Sequence, residues 1–167
     1  MESVLVSACL LGESVRYNGG DKRCDHEILQ RWIREGRVVP VCPEVAGGLP
    51  VPRPPAEIAH GAGGLAVLTG AAKVIDGSGR DVSVHFLTGA EQALGCARTH
   101  GIRIAILKEG SPSCGTTFTY DGTFTATKVP GPGVTAALLQ QAGVQVFSEA
   151  QLVEADRLLK QLDADGV

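Results

Sequence analysis

At 167 residues the chain is long enough to bury a substantial core and is read as one domain over 1–167. A hydrophobic share of 44% with 20% charged residues fits a globular fold, and a net charge of -3 (15 basic, 18 acidic) excludes a general nucleic-acid binder on electrostatic grounds. No stretch is apolar for long enough to cross a membrane, and Met1-Glu2-Ser3 runs into strand-like sequence without a basic leader, so a cytoplasmic protein is expected.

Glu2 to Ala8 is apolar with β-branched residues and predicts a buried strand running into Cys9. A shaped loop follows from Gly12 to Gly20 with Arg16, Tyr17 and Asn18 in it. Asp25 predicts an N-cap, and Ile28, Leu29, Trp32 and Ile33 recur at helical spacing up to Gly36. Arg37 to Val41 predicts a second strand, with Cys42 at its end; Pro40 suits an edge position. Strand, helix, strand implies parallel pairing. Pro43 to Pro55 then predicts a stiff Pro-rich loop that packs on the domain.

Leu65 to Ser83 predicts a small hairpin turning at Asp76-Gly77-Ser78-Gly79. Phe86, Leu87, Ala90, Ala93, Leu94 and Ala97 mark a helix ending near Gly101, and Ile102 to Leu107 is the most apolar strand. It leads into Ser111-Pro112-Ser113-Cys114-Gly115. Thr117 to Thr125 alternates around Asp121-Gly122, a hairpin signal. Gly131-Pro132-Gly133 opens a helix from Val134 to Gln141, and Val144 to Phe147 is the last strand. Ser148 with Gln151 forms a capping box for a final helix to about Leu162. The order predicts an α/β fold: a mainly parallel sheet with helices on both faces, a Rossmann-like three-layer sandwich, plus small β-hairpins.

Five cysteines with no C-x-x-C pair do not form a disulfide framework in a reducing compartment. Cys9, Cys42 and Cys114 each follow a predicted strand, so a parallel sheet would point all three to one edge, where ligands bind in such folds. Their spacing, C-x32-C-x71-C, is no local ligand motif, and only the fold can gather them. Singly, each reads as an ordinary buried thiol. Together they suit zinc or an iron–sulfur cluster, and three protein ligands leave a metal position open for chemistry. Cys96 lies within a helix and reads as a structural thiol; Cys24, beside Arg23, is a candidate fourth ligand whose plainer reading is a structural or partly exposed thiol. Glu44 and Ser111 stand near the cysteines in sequence and are candidates for moving protons. The four histidines show no ligand spacing to one another, and Gly131-Pro132-Gly133 reads as a structural turn rather than an anion cradle.

The runs Ser7-Ala8-Cys9-Leu10-Leu11-Gly12, Arg16-Tyr17-Asn18-Gly19, Val41 to Leu49 with Pro52-Arg53, and Ser111 to Gly115 resemble the thiouracil desulfurase family over nearly the whole chain. The resemblance implies a [4Fe–4S] cluster held by Cys9, Cys42 and Cys114, with one iron not ligated by protein. It implies Glu44 and Ser111 as catalytic residues. The implied reaction is non-redox and hydrolytic: thiouracil, a small thiolated pyrimidine, becomes uracil and releases sulfide. Arg16, Tyr17 and Asn18 are substrate-binding candidates from loop position. Two other readings stay open from the residues alone: a sulfur-transfer protein that forms a persulfide on Cys114, and a zinc-stabilised binding module without catalysis.

Overall fold

The structure is a computed structural model and describes residues 1–166. Its elements in chain order are β1 (Val4–Ser7), α1 (Glu27–Arg34), β2 (Val38–Val41), α2 (Pro43–Ala46), β3 (Ala56–Ile58), α3 (Gly63–Leu68) and β4 (Val74–Asp76). Then come α4 (Ser83–Thr99), β5 (Ile104–Leu107), β6 (Phe118–Tyr120), β7 (Lys128–Pro130), α5 (Val134–Gln141), β8 (Gln145–Ser148) and α6 (Leu152–Asp165). Four strands form one parallel sheet in the order β2-β1-β5-β8.

Alternation along the central strands explains the layers. Val4 and Val6 of β1, with Ile104 and Ile106 of β5, pack on Leu29 and Trp32 of α1 and Leu152, Ala155 and Leu159 of α6. Their neighbours Leu5, Ala105 and Leu107 face the other way, onto Ala93 and Ala97 of α4 and Ala136 and Leu139 of α5. Side chains two apart share a face, so strands apolar at every position must be covered on both sides. The predicted three-layer α/β architecture is the one observed. Pro40 sits on β2, the edge strand, which is where a strand proline is tolerated.

Two predicted hairpins differ from the structure. Leu65 to Leu68 belongs to helix α3, and β4 pairs instead with β3, antiparallel, at the far end of the Pro-rich segment. The turn at Asp76 is present: its carboxylate accepts from the amides of Ser78 and Arg80. A three-residue strand carries too little sequence to name its partner, and Ile58 and Val74 are both fully buried in a third apolar cluster under α4. The Asp121-Gly122 signal marks a seven-residue loop rather than a tight turn, because β6 pairs with Lys128–Pro130. The loop closes by Asp121 N–H donating to the Thr127 carbonyl at 2.9 Å. The predicted Pro-rich loop begins as the short helix α2 and ends as β3.

Helix ends follow local chemistry. His26, one residue beyond the predicted cap Asp25, accepts from the Ile28 amide at the start of α1. Ser148 and Gln151 form the predicted capping box, closing a 3-10 turn that leads into α6.

The outer face of the sheet is tied by one buried polar knot. The indole N–H of Trp32, fully buried, donates to Oδ1 of Asp156 at 3.0 Å, and Arg31 and Lys160 reach the same carboxylate. Burial alone would raise the Asp156 carboxyl; the Lys160 and Trp32 hydrogen bonds and the Arg31 charge outweigh it and hold it below the usual range. Its stabilisation is therefore present at neutral pH and is lost as pH falls through the depressed folded value. Asp156→Ala strands the indole donor and should cost about 2 kcal/mol at pH 7. Arg31 and Lys160 are exposed enough to add little. Urea melts across pH should show the gap between wild type and variant narrowing below about pH 4.

Candidate functional site

Adjacent parallel strands end at a common edge, and a cysteine lies beyond the end of three of them. Cys9 lies in a 3-10 turn directly after β1. Cys42 is the residue before α2, directly after β2. Cys114 lies in the turn after β5. The sheet departs from β1 in both directions, to β2 on one side and β5 on the other, which places this edge at a topological switch point. All three cysteines line one cavity of about 530 Å³, together with Glu44, Ser111, Arg16 and Tyr17. Asn18 does not line it; its side-chain oxygen accepts from the Gly20 amide instead and shapes the loop. Cys24 and Cys96 also lie outside the cavity lining.

Each loop is held by a distinct device. The Ser111–Gly115 turn sits on the start of α5: Val134 N–H donates to the Pro112 carbonyl at 2.8 Å and Thr135 N–H to the Ser113 carbonyl at 2.9 Å. The helix's first amides, unpartnered within the helix, are satisfied by the turn itself. Gly133 must be glycine for this, since a Cβ there would lie 2.6 Å from the Pro112 and Ser113 carbonyl oxygens. The predicted reading of Gly131-Pro132-Gly133 as a structural turn agrees with these contacts. Ser113 points away from the cavity, with its hydroxyl 2.7 Å from that of Thr135 in the interior. Glu109 clasps the far end of the turn, accepting from the amides of Thr116 at 2.6 Å and Thr117 at 3.0 Å.

Inside the turn Ser111 Oγ accepts from the Cys114 amide at 2.7 Å, which leaves its own O–H to donate elsewhere. Ser7, at the end of β1, accepts from the Lys108 amide at 3.0 Å and ties β1 to the start of this segment.

Glu44 is positioned from behind. The guanidinium of Arg53, only 9% exposed, donates to Glu44 Oε1 at 3.3 Å, to the Val15 carbonyl at 2.9 Å and to the Pro50 carbonyl at 3.1 Å. It links the Pro-rich segment, the Arg16 loop and α2 through one buried cation. Burial pushes the Glu44 carboxyl above its usual range, against the opposing pull of Arg53 and Arg16. Arg53 and Glu109 were not singled out as site residues by sequence. Arg53 lies in a Pro-rich run, where the signal was stiffness, and Glu109 acts on amides that have no sequence signature.

The donor set suits a soft metal centre. None of the three thiols is in a disulfide. Burial pushes Cys9 up to about 11 and Cys114 up to about 12, and raises Cys42 as well. As bare thiols they are therefore protonated and weak nucleophiles at neutral pH, which disfavours a persulfide-forming Cys114; a cationic metal removes those protons. Among the described residues no three His, Cys, Asp or Glu side chains converge closely enough to share a single metal ion. A lone zinc draws its ligands to about 2.3 Å of one point. A cluster offers a separate iron to each of three thiolates. Three thiols opening into one cavity suit an iron–sulfur cluster on the chemistry of the donor set, and a structural zinc normally takes four ligands.

The chain is similar to known proteins over most of its length. A family model described as 2-thiouracil desulfurase matches residues 4–151. YbbK of Bacillus subtilis (strain 168), described as an uncharacterized protein, is 46% identical over 149 residues, which is 89% of this chain and 97% of its own. A solved structure of a [4Fe-4S]-dependent thiouracil desulfidase, TudS, is similar with a TM-score of 0.87 at 48% identity, over 96% of this chain and 99% of that one.

The segment carrying Cys42 and Glu44 rests on backbone packed against backbone. A Cβ at Gly89 of α4 would lie 1.9 Å from the Pro43 carbonyl oxygen, and one at Gly47 would lie 1.9 Å from that of His85. Glycine within a helix is normally worse than alanine by about 0.8–1.0 kcal/mol. Here the sign reverses. Gly89→Ala should destabilise by about 1–3 kcal/mol in urea melts, because α2 must move to admit the methyl. Iron analysis of the same variant should show lower occupancy than wild type.

Proposed function

From the premise that the chain belongs to the 2-thiouracil desulfurase family, we propose that this cavity holds a [4Fe–4S] cluster on Cys9, Cys42 and Cys114 and desulfurises thiouracil. The protein is an iron–sulfur-dependent thiouracil desulfurase: the thiocarbonyl of the pyrimidine becomes a carbonyl and sulfide is released. The observation that carries the reading is the opening of three strand-end thiols into one cavity that also holds a carboxylate and a hydroxyl. Among the described residues no helix is long and apolar enough to cross a membrane.

When bound on three thiolates, the cluster supplies an iron without a protein ligand, a Lewis acid matched to a soft sulfur atom. The chain's own residues handle the proton and the water. Glu44, fixed by Arg53, takes a proton from the water whose oxygen forms the new bond to the ring carbon. Ser111 keeps its O–H free by accepting from the Cys114 amide, so it can donate to a ring heteroatom as charge builds there. The carbon–sulfur bond then breaks and sulfur leaves as hydrosulfide. Water contributes the oxygen of uracil; one of its hydrogens leaves on the hydrosulfide, the other passes through Glu44 to solvent as a proton, and no electrons are gained or lost overall. Arg16 and Tyr17 form the cavity wall, where the base would lie.

The roles separate on mutation. Alanine at Cys9, Cys42 or Cys114 should lower iron and acid-labile sulfide per chain and abolish turnover. Glu44→Gln should keep its iron and lose about 10²–10⁴-fold in kcat. Anaerobic reconstitution with metal analysis and a thiouracil assay reads both. Full activity in Cys114→Ala would sink the cluster assignment, and full activity in Glu44→Gln the proton role.

A further inference from the structure

Aromatic residues are scarce here: two tyrosines, four phenylalanines and one tryptophan. Both tyrosines and one phenylalanine, Phe124, line the cysteine cavity. Two of these rings already have partners. Tyr17 lies under the Arg16 guanidinium, 5.9 Å from its ring centroid, and Tyr120 meets Phe118 edge to face with centroids 5.8 Å apart. Among the described residues Phe124 has neither a ring nor a cation against its face. It is 41% exposed, a large apolar side chain at the cavity wall rather than in the core.

The backbone places it there against its own preference. Phe124 has φ 59°, and Ala126, also lining the cavity, has φ 59°. Left-handed backbone is unfavourable for a residue with a Cβ, and it persists where the surroundings impose it. The surroundings do so here. Glu57, across the cavity wall on β3, accepts from the Gly122 amide at 2.9 Å and the Phe124 amide at 3.2 Å with one oxygen. Asp121 accepts from the Thr123 amide and hydroxyl, and the hydroxyls of Thr123, Thr125 and Thr127 form a chain along the loop. Gly122 presses on β3, since a Cβ there would lie 2.8 Å from the Ile58 carbonyl oxygen. A seven-residue loop is thus fixed at many points, with one unpaired aromatic face over the cavity.

We propose that Phe124 is the ring-stacking residue of the substrate site, and that the Asp121–Thr127 loop exists to hold it. This deepens the desulfurase reading and rests on it. A planar heterocycle enters with one face on Phe124 and its thiocarbonyl toward the cysteine edge. Stacking is tolerant of which heteroatoms the ring carries, so Phe124 selects for flatness, and the polar groups select among flat rings.

The test compares wild type with Phe124→Ala, Phe124→Leu and Phe124→Tyr, all cluster-loaded, by uracil titration in a calorimeter and by thiouracil kinetics. Ala and Leu should weaken uracil binding and raise KM about tenfold, with kcat and iron content little changed, while Tyr stays within about twofold of wild type. Leu keeps most of the bulk and the apolar character, so its failure beside the success of Tyr isolates the aromatic face. Wild-type uracil affinity in Phe124→Leu, or no rescue by Tyr, overturns the proposal. A wild type that binds iron but does not turn over thiouracil defeats the underlying desulfurase reading instead, and the uracil titrations still decide the role of Phe124.

Discussion

Parallel pairing of β2, β1 and β5 is the constraint from which the site follows. Parallel neighbours end on the same side, so residues that trail three consecutive positions in the sheet must share an edge however far apart they lie in sequence. Cys9, Cys42 and Cys114 need no local motif because the sheet performs the alignment. The apolar alternation of β1 and β5 demands helices on both faces, and those helices cover the two faces of the sheet.

On this frame the loops are not free. The turn with Ser111 and Cys114 is seated on the first amides of α5 and clasped by Glu109. The segment with Cys42 and Glu44 is pressed on α4 and gripped by Arg53. The loop with Arg16 and Tyr17 is joined to the same guanidinium through the Val15 carbonyl. The last two pieces, which share no sequence, are thereby held to one another through Arg53, so a shift in one is felt by the other. This is the preorganisation that a site must have if its groups are to meet a substrate without rearranging.

Much of this was legible in the sequence. The four strands of the sheet announce themselves through short apolar runs that carry β-branched residues, and the helices through spacing and caps such as Ser148 with Gln151. The three thiols, Glu44 and Ser111 could be picked out because their side chains carry chemistry and stand next to strand ends. The misses have a common cause. β3 and β4 are three residues each, and which short strand finds which is decided by burial of Ile58 and Val74 under α4, not by local pattern. Phe124 was read as one side of a hairpin, since nothing in Asp-Gly distinguishes a two-residue turn from the first step of a longer loop. Asn18 shared a run with Arg16 and Tyr17, yet it faces its own backbone.

The close approaches at Gly47, Gly89 and Gly133 bear on how such a site is recognised at all. Chemistry is sought in what side chains bring, yet the placement of Glu44 and Cys114 is written in what these three positions lack. A survey that ranks residues by reactive groups would pass over them, and one that replaces each residue by alanine would meet at Gly89 a larger residue, not a smaller one. The architecture of the centre is carved as much as built, and its tolerance to drift is set by how closely those backbones approach.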